Sequence, residues 1–336
     1  MYYFCTYFDH HYLVKGLALL HSLQQHCDAF KLFILCLSDR CYQLLAGLPL
    51  ENVELIPLER FEEGDYELLE AKKNRSQIEY YFTCTPSWLL YIFRHYPEVD
   101  LITYLDSDLY FFSDPQPIFA EISGGSIALI GHRFPPNLKH LEKFGKYNKG
   151  WLAFRRDEQG LACLHWYRQQ CLEWCYDRVE VNRFADQKYL DFFAGRFGDI
   201  IEILHKGANL SAWNIANYRL FLLDDKIAVD GDPLLFFHFQ GLKELFPGFY
   251  DVGFFPYQVK LTSFMRRHIF LPYINQLRQL EALLATSEVL LDSTTDMRYG
   301  SPDLKKNKFI SWLQWVKKII RVLYPTAFIY IKRKIK

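Results

Sequence analysis

The sequence predicts an α/β fold, a largely parallel sheet with helices on its faces, and three observations carry that expectation. Over the first sixty or so residues, short apolar runs alternate with a helical repeat. Further on, Leu101, Ile102, Tyr104 and Leu105 form an apolar run that reads as a buried strand and ends in Asp106-Ser107-Asp108. From about Pro256 the pattern changes to a long apolar helical repeat, which predicts a C-terminal helical extension.

Taken in order, 2–7 reads as a first strand. Leu13, Leu17, Leu20 and Leu23 recur at helical spacing and predict a helix over 13–26. The runs 31–38 and 53–58 are a second and a third strand, and 87–95 is the end of a helix that leads through Pro97 into the Asp-x-Asp strand. Apolar runs at 126–130 and 150–155 add two more strands. Residues 157–177 read as an amphipathic helix, with Leu161, Leu164, Tyr167, Cys171, Leu172 and Cys175 along one face. Trp166 and Trp174, at that spacing, read as core rather than as sugar-stacking platforms. Ala185-Asp186-Gln187 opens another helix, with the acid near its N-terminus where the dipole favours it. A late apolar strand spans 234–239, a long helix 259–287, and a polar loop or linker 292–307.

Composition narrows the class. Of 336 residues, half are hydrophobic and 23% are charged, as in a globular chain with a large core. The formal net charge is zero, which argues against a whole-domain nucleic-acid binder. The eight Cys lack the paired spacing of a zinc site and read as small hydrophobes with free thiols. No basic segment followed by a long apolar one opens the sequence, and no apolar run reaches the roughly 18 residues of a membrane span; both features predict a cytoplasmic protein. No Gly-x-Gly-x-x-Gly follows the first strand and no Gly-Lys-Ser/Thr is present, which sets aside dinucleotide dehydrogenases and P-loop enzymes.

The chemistry-bearing residues lie at strand ends. Asp106 and Asp108 project together from the carboxyl end of their strand, the edge at which open α/β sheets bind ligands. Hard oxygen ligands of this kind suit Mg²⁺ or Mn²⁺, held by carboxylates together with substrate phosphates. Asp-x-Asp alone also occurs in solvated turns, and Ser113-Asp114-Pro115 turns the chain just beyond it. His238 ends the late strand, followed by Gly241, where a backbone can approach a ligand closely, and Lys243, which can meet a phosphate. An isolated histidine on an apolar strand is more often a hydrogen-bonded core residue than a ligand.

In order, Tyr104-Leu105-Asp106-Ser107-Asp108, Tyr147-Asn148-Lys149-Gly150, Asp186-Gln187 and His238-Phe239-Gln240-Gly241-Leu242-Lys243 resemble the motifs of nucleotide-sugar glycosyltransferases of the GT-A fold, most of all glycosyltransferase family 8, over about residues 1–250. The resemblance implies a GT-A (Rossmann-like) mixed sheet flanked by helices, with a catalytic domain at 1–255; the residue pattern beyond it predicts a C-terminal helical region with a basic amphipathic tail at 256–336. It implies that Asp106, Asp108 and His238 hold Mn²⁺ (or Mg²⁺) against the diphosphate of a UDP-sugar, with Lys243 and the Gly241 backbone on that diphosphate. Thr6 and Tyr7 would meet the uracil and ribose, and Asn148 and Gly150 would shape the sugar pocket. Asp186 and Gln187 would lie beside the anomeric carbon, with Asp186 on the sugar hydroxyls. The stereochemistry that the resemblance implies is retention; the acceptor is expected to be a glycan or lipid-linked acceptor, with a lipid-linked glycan, a surface polysaccharide and a protein all open.

The sequence also departs from the family. Lys149 stands where Ser or Ala is common, and Lys243 comes one place early, followed by Glu244-Leu245 in place of Pro-Trp. These departures mark a distant branch and leave donor and acceptor open. Two other classes stay open as well. An Asp-nucleophile phosphatase of the haloacid-dehalogenase type would place Thr or Val at Tyr110 and its motif near the first strand. A non-catalytic sugar-nucleotide-binding scaffold at a membrane would keep the pocket and lose the turnover. The tail at 305–336 bears ten basic residues and no acid, with Phe309, Trp312, Leu313, Val316, Ile320 and Leu323 on one helical stripe. It reads either as a docked terminal helix or as a helix in an anionic membrane interface, the latter making the protein peripheral on the inner face of the membrane.

Overall fold

The most apolar runs of the chain become its central strands. The computed structural model describes residues 1–286 and 328–331. Its strands β1 (Tyr2–Phe8), β2 (Phe30–Cys36), β3 (Val53–Pro57), β4 (Leu101–Leu105), β5 (Leu109–Phe111), β6 (Ile127–Gly131), β7 (Tyr147–Arg155) and β8 (Ile200–Ile203) include a seven-stranded sheet in the order β3-β2-β1-β4-β7-β6-β8. β7 runs antiparallel to both β4 and β6, whereas the other pairs are parallel. The sheet is therefore mixed. Reversing β7 has a local consequence: its first residues lie at the edge where the neighbouring strands end. Leu105 pairs with Trp151 and Gly131 with Tyr147, so 148–150 sit beside the ends of β4 and β6.

Helices α1 (Leu13–His26), α2 (Asp39–Ala46), α3 (Leu58–Glu62), α4 (Tyr66–Lys72), α5 (Gln77–His95), α6 (Gln116–Ile122) and α7 (Glu158–Glu173) cover the sheet. Alternation along each strand sends successive side chains to opposite faces. Leu152 and Phe154 join Trp88 of α5 and Tyr167 of α7 in one core, while Trp151 and Ala153 join Leu19 and Leu23 of α1 in the other. Local signals set the helix ends. The Ser38 hydroxyl caps α2 by accepting from the Cys41 N–H, and Asp157 caps α7 by accepting from the Gly160 N–H. α5 ends at His95, so 87–95 is the end of a helix as the sequence reads, and the helix starts at Gln77 and continues through Pro86. α7 stops at Glu173 rather than running to 177, and the helix after Asp186 is 3₁₀ rather than α. Trp166 and Trp174 pack in the core, and all eight cysteines are buried free thiols.

The later part of the chain adds β9 (Leu210–Ser211), β10 (Leu220–Leu223), β11 (Lys226–Val229), β12 (Asp232–Pro233), β13 (Phe236–His238), β14 (Lys243–Phe246), β15 (Phe249–Asp251) and β16 (Phe328–Tyr330). β13 lies between β5 and β9, and β15 between β14 and β16. The C-terminal helix starts at Ser263 rather than 259: α8 (Ser263–Met265) passes through a π turn, Arg266–Phe270, into α9 (Leu271–Thr286). Ile269, Phe270, Tyr273 and Ile274 share a core cluster with Phe237, Phe239 and Leu242, so residues on both sides of 255 pack together. The linker read at 292–307 and the amphipathic stripe at 309–323 lie outside the described residues. Within the tail, Ile329 is fully buried in that same cluster, so this part of the apolar end belongs to the folded unit. Among the described residues, no helix is long and apolar enough to cross a membrane.

Candidate active site

Asp106 and Asp108 stand on the tight turn between β4 and β5. The Leu109 N–H donates to the Asp106 carbonyl at 3.1 Å, and the Asp106 N–H donates to the Gly150 carbonyl at 2.9 Å. β5 then pairs with β13 so that His238 lies opposite Leu109, and the Phe239 N–H donates to the Asp108 carbonyl at 2.9 Å. These ladders place His238 Nε2 3.1 Å from Asp108 Oδ1 and 3.7 Å from Asp106 Oδ2. One ligand atom from each residue falls within 4.8 Å of the others.

Each carboxylate divides its oxygens between two tasks. Asp106 Oδ1 accepts from the Tyr104 hydroxyl at 2.8 Å and lies 3.0 Å from Lys149 Nζ. Asp108 Oδ2 lies 3.6 Å from Lys15 Nζ. The remaining oxygens, Asp106 Oδ2 and Asp108 Oδ1, are those that face His238. Two carboxylate oxygens and an imidazole nitrogen converging on one point need positive charge at its centre, and this hard donor set fits Mn²⁺ or Mg²⁺. Burial works to raise Asp108, but the charge around it, the Lys15 ammonium included, outweighs burial and holds the carboxyl well below the usual carboxylate range. Lys15 itself is pulled down by burial, against the pull of Asp108.

A second carboxylate is tied to the first through Lys149. Lys149 Nζ donates to the hydroxyls of Tyr7 at 3.0 Å and Tyr104 at 3.1 Å. Tyr7 OH lies 2.9 Å from Thr85 Oγ1, which donates to Asp186 Oδ2 at 2.7 Å. Lys149 Nζ is itself 3.9 Å from that oxygen. Burial disfavours the Lys149 charge, but Asp106, Tyr7 and Asp186 outweigh it and keep the ammonium protonated. Burial also pushes Asp186 up, opposed by Lys149 and Thr85.

The pocket above these groups has a volume of about 390 Å³. Of the residues singled out from sequence, Tyr7, Asp106, Asp108, Asn148, Asp186, Gln187 and His238 line it. The other four stand elsewhere. Thr6 is fully buried, and Lys243 is exposed on β14. Gly150 lies behind His238, where an added Cβ would stand 2.6 Å from Cε1 of the ring. Gly241 meets Gly253 backbone to backbone, so that a Cβ on it would come within 2.8 Å of the Gly253 Cα. Sequence reading missed Lys15, Thr85 and His132, and gave Lys149 no role. A larger groove of about 610 Å³ opens elsewhere on α5, bordered by Ser87, Tyr91 and Arg94. Those residues lie on the opposite helical face from Phe82 and Thr85, and the groove does not include the acid–histidine cluster.

The fold is that of the GT-A glycosyltransferases. The chain is similar to the galactosyltransferase LgtC, solved with donor and acceptor sugar analogues, with a TM-score of 0.50 over 82% of this chain and 95% of that one, at 13% identity. By sequence the chain belongs to the family of two uncharacterised Bacillus subtilis (strain 168) proteins, YfnD and YfnF. YfnD is 31% identical over 281 residues, 83% of this chain and 89% of YfnD. YfnF is 32% identical over 249 residues, 71% of this chain and 81% of YfnF. No protein-family model matches the chain.

Proposed function

We propose that the chain is a divalent-cation-dependent glycosyltransferase that moves a sugar from a UDP-sugar to a glycan or lipid-linked acceptor with retention. The observation that carries this reading is the convergence of Asp106, Asp108 and His238 at the floor of the pocket that also holds Asp186 and Gln187. In this reading the three ligands hold Mn²⁺ or Mg²⁺, which when bound supplies positive charge where the departing diphosphate gains negative charge. Tyr7, Asp9 and Tyr12 offer a wall for the base and ribose at the end of β1. Lys243 would serve the diphosphate from β14, outside the pocket lining, Asn148 shapes the sugar site, and Asp186 orients sugar hydroxyls with Gln187 beside the anomeric carbon. The bond that breaks joins the anomeric carbon to a phosphate oxygen, and the bond that forms joins that carbon to an acceptor hydroxyl oxygen, whose proton passes to the departing diphosphate. The phosphate leaves as a stable anion, so no carboxylic acid has to protonate it, in contrast to glycoside hydrolysis. The protein would work in the cytoplasm, on the inner face of the membrane, with its basic tail on anionic lipid.

A thermal-shift panel of nucleotide-sugars, with and without Mn²⁺, tests the reading, since a ligand of the native state raises its melting temperature. A UDP-sugar that stabilises only with Mn²⁺ should then release UDP in the presence of acceptor. Asp108→Asn should lower that release by at least about a hundredfold, as expected for a loss of about 3 kcal/mol of charge stabilisation, with the circular-dichroism spectrum of the folded protein retained. Near wild-type turnover in the variant would remove the metal assignment. UDP binding that ignores Mn²⁺ and leads to no turnover would make the protein a scaffold.

A further inference from the structure

Asn148 stands between two histidines. Its Nδ2 is 3.1 Å from His132 Nε2, and its Oδ1 is 3.2 Å from His238 Nδ1. The backbone fixes which way this amide faces: the Gly150 N–H donates to Oδ1 at 3.2 Å, a bond that an amide NH₂ cannot accept. Gln187 agrees with it. Gln187 Nε2 donates to the Phe144 carbonyl at 2.9 Å, which turns Oε1 toward the Lys149 N–H at 3.3 Å and Asn148 Nδ2 at 3.5 Å.

With Asn148 held in this sense, the protons on both rings follow. Nδ2 donates to His132, so His132 Nε2 carries a lone pair and the ring proton sits on Nδ1, 3.3 Å from the Lys146 carbonyl. Oδ1 accepts, so His238 carries a proton on Nδ1. His238 Nε2 is then left to offer its lone pair toward Asp106 and Asp108. We propose that His132 and Asn148 are positioning residues of the metal centre, a relay that holds His238 in the tautomer whose Nε2 can ligate. The proposal rests on reading the acid–histidine triad as a cation site.

Packing prevents either ring from exchanging its nitrogens by turning over. His132 stacks on Phe134 at 4.8 Å between ring centres and meets Trp213 edge-on at 5.3 Å. Trp213 in turn meets the His238 ring edge-on at 5.1 Å. The Asn214 side chain donates to the His132 carbonyl at 3.0 Å and the Ser211 hydroxyl to the His238 carbonyl at 2.7 Å, so the backbones are tied as well. His132 and Asn148 are 5% and 4% exposed, so water does not substitute for either partner. Burial pushes His132 down to about 3, which keeps an acceptor at its Nε2 at neutral pH.

The test is Mn²⁺ affinity of the full chain, measured by calorimetry near neutral pH without nucleotide. His132→Leu removes the nearer of the two acceptors of the Asn148 NH₂, and His132→Gln restores a neutral oxygen in its place. The Leu variant should bind Mn²⁺ about 10–100-fold more weakly, the usual cost of losing an outer partner of a metal-binding histidine, and the Gln variant should recover most of it. A second pair of variants guards against a folding defect in the first. Asn148→Asp keeps an acceptor for the His238 proton and should retain Mn²⁺, whereas Asn148→Leu should lose it. Equal affinity in the wild type, His132→Leu and Asn148→Leu would overturn the relay and leave the metal reading standing. A wild type that binds no Mn²⁺ would overturn both, and UDP release is not needed to tell these outcomes apart.

Discussion

Each of the three ammonium protons of Lys149 has an acceptor: the Tyr7 hydroxyl, the Tyr104 hydroxyl and Asp106 Oδ1. Replacing it by methionine leaves a buried Asp186 and a half-buried Asp106 without their shared cation. Lys149→Met should cost about 3 kcal/mol, the usual penalty for removing one partner of a buried ion pair, read as a lower urea midpoint. An unchanged midpoint would show that the two acids do not need it. His132 gives the protein a pH dependence of defined sign. Its folded value, about 3, lies below the ordinary 6.5, so between these the unfolded chain binds more protons than the folded one. Stability therefore falls as pH drops below about 6.5 and levels off near 3, with a loss of about 2 kcal/mol by pH 5. His132→Gln should remove that slope from a melting series in metal-free buffer; a parallel curve would mean that other groups carry it. Asp106, Asp108 and His238 were legible in the sequence because each ends an apolar strand. Lys15, Thr85 and His132 were not, because their local patterns are those of an amphipathic helix, a helix interior and a strand end. Their meaning comes only from what crosses them in space.

At the level of elements, strand periodicity locates β4, β7 and β13 but carries no direction, and direction is what makes the site. Had β7 run parallel to β4, Asn148, Lys149 and Gly150 would lie at the opposite edge of the sheet from Asp106. The length and polarity of the connections were the missing information, since a parallel pair needs a long crossover and an antiparallel one does not. This reversed strand also leaves no room for a side chain at Gly150, where an added Cβ would meet the His238 ring at 2.6 Å. Gly150→Ala should push the ring and the Asn148 amide apart and weaken Mn²⁺ binding by about tenfold or more, by the same loss of support that an absent outer partner causes. Far-ultraviolet circular dichroism should be unchanged, because the strand itself tolerates alanine. Mn²⁺ titration checks it, and wild-type affinity would show that the ring has room to shift. Only the end of α5 was legible, for a different reason: Pro86 lies inside the helix, where it removes a backbone bond and crowds the preceding turn, a cost that the packing of both halves offsets.

At the scale of the whole molecule, the charge balance of the chain is uneven in sequence, with Lys332, Arg333, Lys334 and Lys336 gathered at its end. The strand just before them, β16, pairs with β15, and β15 pairs with β14, which carries Lys243. The sheet that holds 328–330 thus also holds the strand that bears the proposed diphosphate contact, two strands away. This connection also decides how membrane attachment has to be tested. Cutting the chain before β16 would remove Ile329 from the core and strip β15 of an edge partner, so lost binding could reflect a damaged fold rather than lost charge. Replacing Lys332, Arg333, Lys334 and Lys336 together by glutamine keeps β16 and removes only the charge. At about 1 kcal/mol per basic residue near an anionic surface, the four changes should weaken binding to phosphatidylserine-rich vesicles by about a thousandfold at low salt. The wild type should float with such vesicles at low ionic strength and largely release near 1 M salt, where screening shortens the Debye length to about 3 Å. Flotation of the glutamine variant equal to that of the wild type would show that these four charges do not hold the protein to lipid.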